Sequence, residues 1–325
     1  MPQIKRSRRG SLAYYPRKRA KRIYPRVKSY LLEEKLKPMA FAGYKVGMTH
    51  TIILDNKKGS PSFGQEITVP VTVLDCPPLK VIGIRTYEKT IKGLKTFTES
   101  YSKDLPKELK RKVKINSEKT LGNVAKMESN LQKISNLRLI VSTQPRLSGI
   151  RKRTPEIFEI GIGGKDVKEK LEFAKQILGK DLQVKDVLRE GELVDVISVT
   201  KGKGTVGPVK RFGVKIQTRH AKQKLRHVGT LGPQTPRKVR WTIPMAGQMG
   251  FQTRTEINKR ILKIGEEGQT ITPKGGFIRY GMVPKNFLLI EGSVPGSKKR
   301  LVLLRPAIRA NRLKLLIPEV REIVK

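Results

Sequence analysis

The sequence has few acidic residues, a single cysteine and no long apolar run. Its 325 residues include 27 Asp and Glu against 70 Lys and Arg, so the formal net charge is +43. The lone Cys76 excludes an intrachain disulfide and a cysteine zinc cluster, and with them a disulfide-stapled secreted domain. No stretch approaches the roughly 18–20 apolar residues that span a bilayer, and no apolar segment follows the basic N-terminus as a secretory signal requires. We therefore expect a cytosolic protein.

Histidines and paired acids are also scarce, which argues against catalysis. The three histidines are His50, His220 and His227, and the last two stand seven residues apart with no carboxylate nearby, which is not the spacing of zinc ligands. They lie among lysines and arginines, where contact with a phosphate or a base fits better. Neither a nucleophile elbow nor a Cys–His pair is present. The sequence predicts that the chain is not an enzyme and holds no metal.

Hydrophobic residues, at 37%, are frequent enough to build a folded core. The positive charge is far larger than solubility requires, and a field of that size repels itself unless a polyanion compensates it. Nucleic acid is the first candidate for this partner. An anionic membrane surface is the alternative.

The charge is concentrated in two segments that contain no acid. Residues 1–28 carry +11 and residues 201–255 carry +13. Folded surfaces usually mix both signs, so these segments predict contact with nucleic acid rather than a merely solvated face. Both are rich in Gly or Pro and lack periodic apolar residues, and we expect them to order on the partner. Tyr14, Tyr15 and Tyr24 could stack on bases or, alternatively, anchor the first segment to the protein itself.

Short apolar runs broken by Gly and Pro predict strands on both sides of a helix-bearing region at residues 100–190. Helical spacing predicts helices near 121–134 and 167–177, and Gly179 would end the second. So many short strands favour a closed barrel or a sandwich. Residues 305–325 are expected to form a short helix or a tail. The predicted strands are residues 39–47, 50–54, 66–75, 79–88, 137–143, 156–162, 193–200, 260–265, 277–281, 286–291 and 300–304.

Gly202, Gly204 and Gly207 match the dinucleotide-binding pattern G-x-G-x-x-G directly after a predicted strand. That site also needs a following helix and an acid about 20 residues on. Pro208 and a basic stretch predict no helix, and no acid occurs before Glu256. We therefore interpret the glycines as places where the backbone can approach another backbone closely, here sugar-phosphate.

Trp241 is the only tryptophan, and a lone tryptophan is by default a core residue. Here it stands between Arg240 and Thr242 in a basic stretch bounded by Pro236 and Pro244. A core position flanked by so many cations is unfavourable. An exposed indole that stacks on or wedges into RNA is the favoured interpretation.

At residues 188–211, LREGELVDVISVTKGKGTVGPVKR, the sequence resembles the signature of the universal large-subunit ribosomal protein L-three family. Further segments that resemble this family are residues 43–49, 240–248, 254–258, 275–281 and 292–300, so the resemblance covers most of the chain. The insertion and the long N-terminal arm resemble archaeal and eukaryotic members, and the lack of extra C-terminal sequence favours the archaeal type. The matching signature residues are Leu188, Asp195, Ser198, Thr200, Gly202, Lys203, Gly204, Gly207 and Arg211.

The resemblance implies a mainly β fold with an α+β insertion: a six-stranded translation-protein-like β-barrel with two long basic extensions. The central extension would carry Trp241 at its tip, near the peptidyl transferase centre. The implied regions are an N-terminal extension (1–38), a first barrel segment (39–100), the insertion (101–190), a second barrel segment (191–204 and 256–310), the central extension (205–255) and a C-terminal tail (311–325).

The resemblance also implies a structural, rRNA-binding constituent of the large ribosomal subunit that supports subunit assembly. Its partners would be large-subunit rRNA and neighbouring ribosomal proteins, with no membrane, no small-molecule substrate and no cofactor except Mg²⁺ carried by the rRNA. A free RNA- or DNA-binding factor and an RNA-modifying enzyme are the alternatives. The predicted RNA-binding residues are Lys5, Arg6, Arg8, Arg9, Arg17, Lys18, Arg19, Lys21, Arg22, Lys201, Lys203, Lys210, Arg211, Arg219, His220, Lys222, Lys224, Arg226, His227, Arg237, Lys238, Arg240, Trp241 and Arg254, with Gly202, Gly204 and Gly207 approaching the RNA backbone.

Overall fold

The computed structural model describes residues 8–31, 33–57, 59–114, 123–310 and 317–324. The chain forms two units. We call Ile23–Ser198 with Thr255–Lys325 the β unit, and Met1–Arg22 with Val199–Arg254 the basic unit. Lys5 and Arg6, which the sequence predicts to bind RNA, lie outside the described residues, as do residues 311–316 of the predicted tail.

Strands dominate the described residues, which confirms the mainly β prediction. Fourteen of them are described, with three α-helices and several single-turn 3₁₀ helices. The helices are α1 (Asn123–Ser129), α2 (Val167–Ile177) and α3 (Pro208–Phe212). The strands are β1 (Phe41–Leu54), β2 (Glu66–Asp75), β3 (Leu79–Thr90), β4 (Gly93–Tyr101), β5 (Asn136–Thr143), β6 (Ile157–Gly161), β7 (Asp181–Leu182), β8 (Leu193–Val199), β9 (Thr205–Val206), β10 (Gly247–Gln248), β11 (Thr253–Gly265), β12 (Phe287–Glu291), β13 (Leu301–Pro306) and β14 (Glu319–Ile323).

Six strands of the β unit form a hydrogen-bonded ring in the order β1–β2–β12–β11–β8–β13, and β13 returns to β1. Tyr44 of β1 lies opposite Asp75 of β2 on one side and Leu301 of β13 on the other. The strands are rich in Val, Ile and Leu because their inward side chains fill the core, where Phe41, Leu288 and others are almost fully buried. The ring assembles segments from both sides of the central basic segment.

A second sheet of five strands has the order β4–β3–β5–β6, with β7 paired to β3. The sequence assigns residues 79–88 to the first barrel segment, but β3 pairs with β4, β5 and β7 and so belongs to this second sheet. Helix α2 follows the predicted 167–177 and buries Leu171 and Ala174, while Gly179 adopts a φ of +80° after its end.

Several elements differ from the sequence predictions, among them β4, which is not among the predicted strands, and β11, which begins before the predicted residue 260. Residues 39–47 and 50–54 are one strand, because the intervening backbone stays paired with β2, for example Thr49 with Val71. Residues 277–281 form a tight turn in which a single bridge joins Phe277 to Gly281, instead of a strand. The end of the chain, expected to be a tail or a helix, contributes β14, which pairs with β1.

The N-terminal segment divides between the two units after Arg22. Tyr24 and Val27 are buried in the core of the β unit, at 8% and 5% exposure, although they stand in the acid-free segment. The Lys112 ammonium lies 5.0 Å from the centre of the Tyr24 ring. For Tyr24, the structure therefore favours anchoring to the protein's own body over base stacking.

One buried carboxylate, Asp75, lies at the end of β2. Its Oδ2 accepts hydrogen bonds from the Tyr280 hydroxyl at 2.6 Å and from the Gly149 N–H at 3.1 Å. Burial raises the pKa of Asp75 from 3.8 to about 6, even though both hydrogen bonds oppose the shift. The contact with Tyr280 ties the loop after β11 to the ring.

Candidate nucleic-acid interface

The basic unit is built from short elements. Strands β9 and β10 pair as a two-stranded ribbon, and helix α3 follows directly, with Pro208 at its start and Gly213 ending it at a φ of +65°. The prediction that no helix follows Gly207 is therefore wrong, because Pro208 suits the first helical position, where no N–H is needed. The five-residue helix does not restore the dinucleotide motif, because the acid that the motif needs is absent from the sequence.

An aromatic and arginine cluster joins the arm, residues 8–22, to α3. The Tyr15 and Phe212 rings are stacked with centroids 6.3 Å apart, and the Trp241 ring meets Tyr15 edge-on at 5.3 Å. The Arg17 guanidinium lies 4.4 Å from the centre of the Phe212 ring, and that of Arg211 lies 5.1 Å from it. Stacked guanidinium and ring faces attract each other through the ring quadrupole, so this cluster holds the arm against the central segment.

The arginines of the cluster donate hydrogen bonds to backbone carbonyl oxygens rather than to carboxylates. Arg211 donates from Nε to the Gln248 carbonyl at 3.1 Å and from Nη1 to the Met245 carbonyl at 2.9 Å. Arg9 donates to the Gly213 carbonyl. Burial lowers the pKa of Arg211, and the nearby Arg17 charge acts in the same direction. Since the basic unit contains no Asp or Glu, its charge is not compensated within the unit.

The predicted RNA-binding residues fall into two groups by exposure. Arg9, Arg17, Arg211 and Arg254 are half-buried and are used inside the basic unit, Arg254 lying 4.6 Å from the centre of the Tyr14 ring. The others that the structure describes are exposed, and together they cover the surface of the unit with positive charge. The exposed group is Arg8, Lys18, Arg19, Lys21, Arg22, Lys201, Lys203, Lys210, Arg219, His220, Lys222, Lys224, Arg226, His227, Arg237, Lys238, Arg240 and Trp241.

Trp241 is 67% exposed, so it is not a core residue. Its backbone is nonetheless held in place, because the Ile243 N–H donates to the Arg240 carbonyl at 3.1 Å and Arg8 donates to the Thr242 carbonyl at 2.7 Å. One edge of the indole rests on Tyr15. The rest of the ring is available for stacking or wedging.

The approach of Gly202, Gly204 and Gly207 to an RNA backbone stays a prediction, and the structure adds a glycine that makes a close approach within the basic unit. Gly204 has a φ of +67°, which favours glycine, but open space surrounds Gly204 and Gly207. Gly250, which the sequence analysis did not single out, has a φ of +68°, and a Cβ there would lie 2.1 Å from the Lys201 carbonyl oxygen. Two segments of the basic unit therefore approach each other closely at Gly250. The sequence around Gly250 does not indicate this, because Lys201 is far away along the chain.

The residues that the structure describes contain no cluster of metal-ligating side chains. Within the same residues, no helix has the length and apolarity needed to cross a membrane.

A chain with a strand-rich β unit and a basic unit that contains no acid is typical of one class, the nucleic-acid-binding proteins. A family model described as "Ribosomal protein L3" matches residues 1–324. The chain therefore belongs to the ribosomal protein L3 family, and it is a structural component rather than an enzyme.

Archaeal relatives support the same assignment. The "Large ribosomal subunit protein uL3" of Methanococcus vannielii is 49% identical over 98% of this chain and 96% of its own length. The proteins of the same name from Methanopyrus kandleri and Methanocaldococcus jannaschii are 50% and 49% identical, over 94% and 98% of this chain and 86% and 96% of their own lengths. The archaeal type expected from the sequence is confirmed.

Proposed function

We propose that this chain is a constituent of the large ribosomal subunit that binds large-subunit rRNA through the basic unit. The observation that carries the proposal is the exposed cationic surface of a unit without a single acid. Lys and Arg on such a surface neutralise phosphates and release counterions, which supplies most of the binding free energy. The names of the archaeal relatives, which place those proteins in the large subunit, support the choice of partner.

Within the proposed interface, the side chains have three different roles. The exposed cations contact phosphates, and the half-buried arginines hold the arm and the central segment in a shape that fits RNA. Trp241, exposed beside Arg240, stacks on or wedges between bases. By its resemblance to the family, this tip is the region that approaches the peptidyl transferase centre. Any Mg²⁺ arrives with the rRNA, and no cofactor of the protein's own belongs to the proposal.

For the β unit, we propose that the six-stranded ring is a β-barrel of the translation-protein type that docks on rRNA and neighbouring ribosomal proteins and supports subunit assembly. The closed strand order supports this, because closure is what defines a barrel. The division of the chain into six regions given by the resemblance, and a cytoplasmic location, belong to the same proposal.

A sucrose gradient of native lysate, with quantitative detection of the chain after a high-salt wash, tests the proposal. Stoichiometric retention in large subunits is the expected result. Release by salt, or a peak away from ribosomes, would point to a free RNA- or DNA-binding factor and overturn the proposal.

Charge variants test which surface binds. We expect Lys222→Gln with Lys224→Gln and Arg226→Gln to lower the slope of log affinity against log salt for transcribed large-subunit rRNA by about 2–3, because each lost phosphate contact removes about 0.7–0.9. The matched control is Lys89→Gln with Lys92→Gln and Lys95→Gln, three exposed lysines of the β unit. Equal losses in both variants would contradict the assignment to the basic unit.

A further inference from the structure

A third cationic surface lies on the β unit, in two loops that the two acid-free segments do not include. We call residues 273–285 and 295–300 the paired loops. Residues 268–318 of the sequence carry ten Lys and Arg and a single acid, Glu291. That acid is outside the loops and pairs with Lys57, its Oε1 lying 3.4 Å from the Lys57 Nζ. The paired loops themselves contain no acid.

The paired loops touch each other and are held rigidly. The Lys298 Nζ donates to the Ile278 carbonyl at 2.9 Å and so joins one loop to the other. The first loop is closed by the Phe277 N–H, which donates to the Gly281 carbonyl at 2.9 Å, and is anchored by Tyr280 on the buried Asp75. The second is held by β1, whose Lys45 carbonyl accepts from the Lys299 N–H at 2.7 Å.

Lys45 adds a second restraint to the same loop. Its side chain is buried, and its ammonium donates to the carbonyls of Val294 and Gly296. Loops fixed in this way present their outward side chains in a defined geometry, and they do so without a partner having to order them first.

Each paired loop places one exposed cation on a strained backbone. Arg279 has a φ of +66° and Lys299 a φ of +69°, a region in which glycine is favoured and other side chains cost free energy. Asn258 also has a positive φ, of +57°, and its side chain accounts for it, since its Nδ2 donates to the Arg309 carbonyl at 2.9 Å. Among the described residues, neither Arg279 nor Lys299 makes an ion pair. Two exposed cations kept on a costly backbone conformation, with no ion pair among the described residues, point to a ligand.

Apolar side chains stand beside these cations. Ile278 is 76% exposed and Met282 is 61% exposed, both on the first loop. Exposed apolar side chains on the same loop as a cation suit RNA, whose wide and shallow minor groove presents sugars and base edges between two rows of phosphates.

We propose that the paired loops are an additional contact surface for the sugar-phosphate backbone of an rRNA duplex. Arg279 and Lys299 pair with phosphates, while Ile278 and Met282 pack on the sugars between them. The inference rests on the proposed rRNA binding and names the two loops through which the β unit takes part in it. An acidic ribosomal protein is the other occupant that such a surface could take, and the test separates the two.

The test replaces the two strained cations by glycine in the full-length chain. Arg279→Gly with Lys299→Gly removes both charges and relieves both backbones, so we expect Tm to stay constant or to rise by a few degrees. Binding to transcribed large-subunit rRNA should weaken about tenfold at about 0.1 M salt, and the salt slope should fall by about 1.5. The charge-keeping Arg279→Lys with Lys299→Arg should bind within about twofold of the wild type.

The matched control is Lys92→Ala with Lys95→Ala, which removes two exposed charges of the second sheet. If the glycine variant and this control bind the rRNA equally, the paired loops are not an RNA surface and the inference falls alone. Normal rRNA binding together with loss of a neighbouring protein from reconstituted subunits would overturn it in favour of a protein partner. Wild-type protein that fails to bind rRNA would overturn the proposed function as well.

Discussion

The arginines of the basic unit show how a single residue type can serve two purposes. Arg17 and Arg211 both lie over the Phe212 ring and stabilise the unit, whereas Arg237 and Arg240 are exposed. A guanidinium suits both uses because it is planar, stacks on aromatic rings and stays charged when partly desolvated. Sequence alone could not divide the two groups, since Arg17 and Phe212 are far apart in the chain and nothing local to either residue indicates the contact.

Trp241 provides a prediction at this scale. Because the indole is 67% exposed and meets Tyr15 only edge-on, Trp241→Ala should lower the free energy of unfolding by about 1 kcal/mol or less and leave subunit assembly intact. Peptide-bond formation by reconstituted subunits should fall several-fold, because the variant would lose the stacking contact that we propose for Trp241 near the peptidyl transferase centre. Leu231→Ala, in the same segment, is the control. Wild-type rates and wild-type sensitivity to drugs of that centre would refute the prediction.

Asp75 predicts a pH effect. Its pKa is about 6 in the folded chain against 3.8 as the ordinary value, so the folded state binds the proton more tightly than the unfolded state. Below about pH 3.8 the carboxyl is protonated in both states and does not lower the free energy of unfolding. As pH rises towards 6 its ionisation lowers that free energy, by up to ~3 kcal/mol, and the loss stays constant at higher pH. Asp75→Asn removes this cost and keeps an oxygen for Tyr280. The variant should gain stability over the wild type between about pH 4 and 6.5, measured by chemical unfolding.

Asp55 supplies the control for that experiment. Hydrogen bonds from Ser60 and Ser62 lower the pKa of Asp55 to about 2, so its contribution to stability is lost only as pH falls from about 3.8 towards 2. The difference in the free energy of unfolding between Asp55→Asn and the wild type should therefore not change between pH 4 and 6.5. Parallel stability curves for Asp75→Asn and the wild type would contradict the assignment of a raised pKa.

At the scale of elements, the strands were predictable and their partners were not. Dense Val, Ile and Leu predicted β2, β5 and β12 within a residue or two, because buried strands need such side chains. The assignment of β3 to the second sheet depends on pairing with β5, which the local pattern does not encode. In the candidate interface, the charge and exposure of residues such as Lys222 could be predicted, whereas the role of Gly250 could not, because it depends on a distant carbonyl.

The N-terminal segment gives a prediction for an element. Deletion of residues 1–22 removes only a portion of the basic unit, so the Tm of the β unit should stay within about 2 °C of the wild type. Deletion of residues 1–28 also removes Tyr24 and Val27 from the core, which should cost about 3–5 kcal/mol and lower Tm by several degrees. Calorimetry of the two truncated chains provides the comparison. Equal unfolding temperatures would show that the two buried side chains contribute nothing.

At the scale of the whole molecule, the net charge of +43 predicts opposite effects of salt on the free and the bound protein. Self-repulsion destabilises the free chain and is screened when the Debye length shortens, so Tm should rise by several degrees between about 0.01 M and 0.3 M salt. Over the same range, binding to rRNA should weaken by orders of magnitude. Differential scanning fluorimetry and filter binding measure the two effects. A Tm that falls with added salt would refute the expected screening of self-repulsion.

The ring has a consequence for the order of events during synthesis. Its first strand, β1, pairs with β13 and β14, and Phe41 lies opposite Leu304. The pairing of β1 therefore cannot be completed until nearly the whole chain has been made. At about 5–20 residues per second, translation leaves β1 without those neighbours for roughly 13–50 s. The growing chain meanwhile exposes both of its acid-free segments and an open sheet edge. We therefore expect newly made copies to need a chaperone or nascent rRNA as a cover until the ring has closed.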